Sequence, residues 1–498
     1  MLLKLLLSWE IVPILLVAYT IYRIIINTVV SPLRKIPGPW YCMLSETIYT
    51  TQVARGTQLQ WMQQLHEKYG PMVRVAPGIV SVRDVDAAHA ILSSQKFVKG
   101  PVYEIFNVTG HPNIFSARNP ATAKARRKLA LPMFTRSALK EMDDMIMSAG
   151  VRPLLKRLER HAEAGDTINI MQLFFFMTFN VMGDIALNRN FNMMEDDDIG
   201  NRIVAQINDT IQLCIYTYAF GPLANKWMFP RLHESKRQGI EFFLKAIRAR
   251  RAIENPRPDS LNRYLTAIKE EKLDNLTEMD MAGDILVQFI GGTDTTAISC
   301  AWTIYLLSGT PDVYSRLLQE IREAVPDINT EIRHAMVCDL PYLNAVINEA
   351  LRIYPVGGGD IHRVVPKGGA ELCGKYLPEN TIVMAPQYAL NHWDKIWDEP
   401  NAFRPERWLT TDSARLDEMK RAFFPFSTGT RACVGRELAW MELRVTLASL
   451  IRRFEVEVVR GNDMTPVFSL VVGPRGHALQ CRLTKRTEEP MQPAVVAS

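Results

Sequence analysis

The chain has 498 residues, 47% of them hydrophobic and 22% charged, which excludes a disordered or fibrous protein and leaves room for a large buried core. Its 58 basic and 53 acidic side chains leave a net charge of +5, and no basic run is interleaved with aromatics, so nucleic-acid binding is set aside. The seven cysteines are odd in number and contain no C-x-x-C pair, which argues against a disulfide scaffold or a zinc finger.

The first element is apolar. Ile11 to Ile26 is interrupted mainly by Pro13 and Arg23, and with Leu2 to Leu7 before it the segment meets the ~20 apolar residues that cross a bilayer. A cleaved signal peptide is the weaker reading, because no small-x-small cleavage site follows. Arg34 and Lys35 come after the segment, so the positive-inside bias places the rest of the chain on the cytosolic side. Residues 1–31 therefore read as a single-pass transmembrane anchor. Residues 32–40 read as a Pro-rich hinge, because Ile36-Pro37-Gly38-Pro39-Trp40 cannot continue a helix. With no internal repeat or low-complexity linker, residues 41–485 form one large domain, and 486–498 read as a disordered tail.

Thr57 to Tyr69 is an amphipathic helix stopped by Gly70-Pro71, and Met72 to Val82, broken at Pro77-Gly78, is a hairpin. Helical periodicity then dominates to Tyr354. The basic run Lys124-Ala-Arg126-Arg127-Lys128 has a solvated helix face as its plain reading, and that is kept for Arg126 and Lys128. Met171 to Leu187 carries Phe174-Phe175-Phe176 and reads as a buried helix. Phe220 to Phe229, with Trp227 and Met228, reads equally as core packing or as a surface that dips into a membrane.

A long helix runs from about Met279 to Leu307, interrupted by Gly291-Gly292-Thr293-Asp294-Thr295-Thr296. Two glycines inside a helix cost ~1 kcal/mol each relative to alanine, which marks close packing or a local opening of the ladder. Thr310-Pro311 then supplies an N-cap and N1 pair for the next helix. Glu349 and Arg352 stand three apart on one helix face, Tyr354-Pro355 ends that helix, and Phe403-Arg-Pro-Glu-Arg407-Trp408 follows. Short strands return between Val364 and Val383 and from Phe454 to Leu483. The fold class is therefore mainly α with a smaller β part contributed by both halves. Last comes Phe426-Ser-Thr-Gly429-Thr-Arg431-Ala-Cys433-Val-Gly435, directly before a helical pattern from Arg436 to about Arg453. A cysteine at a helix N-terminus beside an arginine has a lowered pKa and suits metal ligation. The other six cysteines read as ordinary core or surface thiols.

The spacing Phe-x-x-Gly-x-Arg-x-Cys-x-Gly resembles the haem-binding loop of the cytochrome P450 family. A Glu-x-x-Arg helix and a Pro-Glu-Arg segment precede it in the family's order. The resemblance covers the chain from the hinge to about Leu483. It implies the cytochrome P450 fold, and a haem b whose iron takes the Cys433 thiolate as axial ligand, with Phe426, Gly429 and Gly435 shaping the loop. It implies a buried salt-bridge triad of Glu349, Arg352 and Arg407. It makes Asp294 and Thr295 the acid–alcohol pair that relays protons during oxygen activation. Arg127 and Arg363 become partners of the haem propionates and Arg431 a third candidate, but Ala123 stands where the family usually has Trp or His. By order along the pattern, Tyr103, Phe106, Phe115, Phe289, Val356 and Val471 fall near the substrate pocket, and each reads equally as core.

The activity implied is that of a membrane-anchored haem-thiolate monooxygenase of the endoplasmic reticulum, facing the cytosol. It takes O2, an apolar small-molecule substrate and two electrons. No nucleotide-binding fingerprint or flavin-sized extension is present, so the electrons come from a partner, NADPH–cytochrome P450 reductase, for which Lys420, Arg421 and Arg436 are candidate docking residues. The stretches Arg-Pro-Glu-Arg-Trp-Leu and His-Arg-Val-Val-Pro resemble fungal natural-product oxidases, implying a terpenoid, polyketide or alkaloid intermediate. Two alternatives stay open: the same haem chemistry giving desaturation, ring closure or rearrangement, and a membrane-tethered thiol or scaffold protein without haem.

Overall fold

The computed structural model describes residues 11–135, 138, 142–253, 260–269 and 276–487. The Leu2–Leu7 part of the expected anchor and all but the first two residues of the expected tail lie outside the described residues. Helix α1 (Ile11–Ile25) continues as a wider turn to Val30 and stops at Ser31. Its described side chains are exposed apart from half-buried Arg23. The proline-rich segment after it is docked and does not behave as a free hinge. Arg74 donates its backbone N–H to Pro37 (2.7 Å) and its guanidinium to the Asn27 carbonyl (2.7 Å), and Leu33 and Ile36 are buried with Met72 and Val80.

Helices α2 (Thr47–Ala54) and α3 (Gln58–Tyr69) lead into β1 (Met72–Ala76) and β2 (Ile79–Val82), the expected hairpin. With β3 (Val98–Lys99), a strand at Asp360–Val364 (β4) and one at Ile382–Pro386 (β5), they form a five-stranded sheet in the order β1-β2-β5-β4-β3. Only β2 and β5 pair in parallel; the early and late parts of the chain meet there. A three-stranded sheet joins Thr167–Asn169, Gln480–Lys485 and Phe454–Val458, and Pro466–Ser469 pairs with Val471–Pro474 as a hairpin.

The remaining helices used below are α4 (Pro120–Ala130), α5 (Ile170–Leu187), α6 (Asp197–Phe220), α7 (Pro230–Arg251), α8 (Glu278–Ser308), α9 (Pro341–Ile353) and α10 (Arg436–Arg453). Helix α8 spans about 46 Å at 1.5 Å per residue and runs through the core. A capping box starts it: Asp280 N–H donates to Thr277 Oγ1 (3.1 Å), and Thr277 N–H donates to Asp280 Oδ2 (2.9 Å). The glycine pair does not interrupt this helix. Gly292 faces α5 so closely that a Cβ there would lie 2.5 Å from Met182 Sδ, whereas a Cβ on Gly291 would meet open space. One glycine serves packing and the other keeps a wall open. Thr310 stands at the N-cap position with Pro311 at N1, but its hydroxyl turns back to Leu306 and caps nothing. Helix α5 is apolar enough to span a membrane, yet it is buried against α8, where Thr178 Oγ1 donates to Thr293 O (3.1 Å).

The Phe220–Phe229 connection between α6 and α7 is not core. Trp227 is 86% exposed and Met228 61%, which removes the packing reading for this patch. Arg126 overturns the solvated-face reading: it is buried, donating to Asp284 Oδ2 (2.8 Å) and Asp280 Oδ1 (2.7 Å), and so ties α4 to α8. Lys128 is exposed as expected.

Candidate active site

The cysteine loop is held open by its backbone. Gly429 has φ +71°, and a Cβ there would sit 2.5 Å from Ser93 Cα, so glycine is required on both counts. Cys433 N–H donates to Phe426 O (2.8 Å), closing the loop just ahead of α10. The cysteine sulfur opens onto an internal cavity of about 430 Å³ with mostly apolar walls. The expected low pKa is not what the loop gives this thiol: burial pushes it up, and the Gly435 N–H, Arg127 and Arg436 only partly offset that. Metal ligation would supply what the dipole does not, since a bound cation displaces the thiol proton.

Four cations converge on the same cavity: Lys99, Arg127, Arg363 and Arg431. Arg127 donates to Ala432 O (2.8 Å), Arg363 to His362 O (2.9 Å), and Arg431 to Ala117 O (2.9 Å). None of the four pairs with a carboxylate among the described residues. Burial, then the charges of Arg363 and Arg127, bring Arg431 down to about 10. Lys99 is held well below the usual lysine range by burial and by the three arginines. Like charges gathered this way cost energy unless an anion joins them. The two propionates of a haem fit that requirement, and Cys433 supplies the thiolate, so the residues present fit the group. Lys99 escaped sequence reading. It donates to Phe115 O (2.6 Å) and lies 4.1 Å from the Tyr103 ring and 4.2 Å from the Phe115 ring.

The other expected residues divide. Phe426, Gly435, Thr295, Tyr103, Phe106, Phe115, Val356 and Val471 face the cavity. Phe289 does not; it is fully buried among Phe179, Phe191 and Phe243 and belongs to the core. Gly429 shapes the loop from outside the cavity wall. Asp294 also lies behind the wall, with no hydrogen bond to its carboxyl among the described residues, and burial pushes it up to about 7. Thr295 Oγ1 donates to Gly291 O (2.7 Å). A second acid was missed. Glu442, on α10, borders the cavity with both oxygens unpartnered, and burial holds it well above the usual carboxylate range despite the Thr296 hydroxyl beside it. In the sequence it resembles any charged helix position.

Behind the loop, Glu349 is fully buried and accepts from Arg352 Nη2 (2.7 Å), Arg352 Nε (3.0 Å) and Arg407 Nε (2.9 Å). Trp408 Nε1 (2.9 Å) and the Arg404 N–H (3.2 Å) add two donors that the motif alone does not announce. Arg352 is itself satisfied by Asn391 O (2.8 Å) and Pro400 O (2.7 Å). Five donors on one carboxylate lock α9 to the segment that precedes the loop.

Residues 36–480 match the family model described as Cytochrome P450. The chain belongs to the cytochrome P450 family. It is thus a haem-dependent monooxygenase. Tryprostatin B 6-hydroxylase of Neosartorya fischeri is 31% identical over 447 residues, covering 88% of this chain and 79% of that protein. Cytochrome P450 monooxygenase astJ of Aspergillus oryzae is 29% identical over 476 residues, 92% of this chain and 94% of its own. Among solved structures, the crystal structure of cytochrome P450DA heme domain superposes with a TM-score of 0.79 at 19% identity, covering 91% of this P450 and 98% of that chain, which shows the fold. Membership also brings an organic substrate, O2 and a redox partner.

Proposed function

We propose that this P450 binds haem b with Cys433 Sγ as axial ligand and oxidises an apolar natural-product intermediate. The observation that carries this reading is the joint one of the Cys433 thiol and four cations facing one cavity, none paired with a carboxylate among the described residues. When bound, haem with a thiolate ligand supplies reductive O2 activation and transfer of one oxygen atom to a carbon, the other leaving as water. The chain's own residues do the rest. Arg127, Arg363, Arg431 and Lys99 would hold the propionates. Phe426, Gly429 and Gly435 keep the sulfur at a set distance from the loop backbone. Tyr103, Phe106, Phe115, Val356 and Val471 exclude water and position the substrate by shape. Thr295 offers a hydroxyl to the cavity from its bond on Gly291 O. Asp294 and Glu442, both raised by burial, hold exchangeable protons behind and beside it. Glu349, Arg352 and Arg407 act structurally.

The names of the fungal relatives, hydroxylases and monooxygenases, support oxidation of a secondary metabolite. NADPH–cytochrome P450 reductase is the proposed electron donor, docking near exposed Lys420, Arg421 and Arg436; Arg421 is engaged by Asp86 and Arg436 by Glu437. Exposed α1 supports a single-pass anchor in the endoplasmic reticulum membrane. The deciding experiment is a reduced carbon-monoxide difference spectrum of folded protein, which gives the thiolate-haem Soret band. Cys433→Ala removes that band and all turnover. A folded wild type without the band refutes the reading.

A further inference from the structure

Besides the four cations and the Thr296–Glu442 corner, the mostly apolar cavity has an acid that haem binding does not use. Asp360, on β4, borders the cavity. Its Oδ2 accepts from Tyr49 Oη (3.1 Å) and from Gln58 Nε2. Tyr49 Oη also lies 2.9 Å from His362 Nε2, so a chain of bonds fixes the carboxyl. No cation pairs with Asp360 among the described residues, and its Oδ1 accepts no hydrogen bond from them. His362 supplies no charge, since burial and Arg363 push it down to about 3.

Amides complete the polar surroundings of Asp360: Gln58 and Gln387 both border the cavity, and Gln387 directly follows Pro386, the strand partner of Asp360. Aromatic rings complete the surroundings: Tyr49 meets Tyr218 edge to face (6.4 Å, 82°), and both border the cavity. A carboxylate beside tyrosine rings is the chemistry that holds an ammonium group.

We propose that Asp360, with Tyr49, Gln58 and Tyr218, forms a recognition subsite for a protonated amine on the substrate. The inference rests on the cavity being the substrate chamber. It narrows the substrate to an apolar molecule carrying a basic nitrogen. It also places that nitrogen roughly 10 Å along the strand from Arg363, three residues at ~3.3 Å each, away from the cation cluster.

The test uses haem-loaded protein and a matched pair of probes, N-phenylbutylpiperidine, a cation at neutral pH, and N-phenylbutanoylpiperidine, a neutral amide without N–H. Dissociation constants are read by calorimetry and by the spin shift of the haem. Wild type binds the cation about tenfold or more tightly than the amide, the scale of one charge-assisted bond. Asp360→Asn abolishes the preference without changing haem content. In wild type the preference also fades below about pH 6, where Asp360 takes up a proton while the probe stays charged. Equal binding of both probes to wild type overturns the proposal whatever the variants do, and so does a preference that survives Asp360→Asn. If neither probe shifts the haem, the chamber reading falls and this inference with it.

Discussion

Asp294 and Thr295 are adjacent in sequence but meet different surroundings, and the difference assigns them different tests. Thr295 reaches the cavity, so its hydroxyl is replaceable without touching the core. Thr295→Ala keeps the haem spectrum but raises hydrogen peroxide released per NADPH consumed; unchanged coupling would remove the relay role. Asp294 is buried, and its carboxyl titrates at about 7 in the folded protein against about 4 in an unfolded chain. Between those values the folded state holds a proton that the unfolded state has lost. Stability from this group therefore falls as pH rises through that window. Asn in its place abolishes the slope, so the melting temperature of Asp294→Asn gains on wild type between pH 5 and pH 8. A constant offset across that range would mean that Asp294 is not titrating there.

At the scale of elements, α8 had readable ends and an unreadable middle. The apolar run marks it from about Met279 to Leu307, and Thr310-Pro311 announces the next helix; the Thr277–Asp280 capping box came only with the structure. The glycine pair looked like an interruption because Met182, which fills the space beside Gly292, lies more than a hundred residues away. Gly292→Leu would drive its side chain into Met182 and cost about 1–3 kcal/mol of stability by overpacking. Gly291→Ala meets no protein atom and leaves the melting temperature nearly unchanged, while it narrows the cavity wall and weakens binding of bulky ligands. Arg126 was misread for the same reason of distance: its carboxylate partners sit on α8, over 150 residues on. Arg126→Ala strands Asp280 and buried Asp284 at the α4–α8 contact, a loss of about 3–5 kcal/mol. Arg126→Lys recovers only part of it, because an ammonium cannot span both acids as the guanidinium fork does.

For the molecule as a whole, what could be read in the chain was whatever is written locally. Cys433, Arg431 and Gly429 lie in one short loop whose spacing is demanding, and Glu349-x-x-Arg352 lies on one helical turn. Lys99 and Glu442 were passed over because each is an unremarkable charge until the fold brings it to the cavity. Phe289, which read equally as pocket or core, is core; helical order does not say which face meets the cavity. The Phe220–Phe229 patch is the same kind of case, since composition gave apolar residues and only the fold put them outside. Arg74 ties the end of the α1 segment to β1, and α2 packs on α6, which leads into the patch. Exposed tryptophan and methionine are what a bilayer interface takes up. A chain lacking residues 1–31 is therefore expected to keep a weak, reversible affinity for phospholipid vesicles in flotation assays. Trp227→Ser with Met228→Ser abolishes that affinity in the truncated chain and leaves the haem spectrum intact. In the full-length chain the same double change leaves membrane association unaltered, because α1 dominates it. If the truncated chain floats equally well with both serines, the patch has no part in holding this P450 to the membrane.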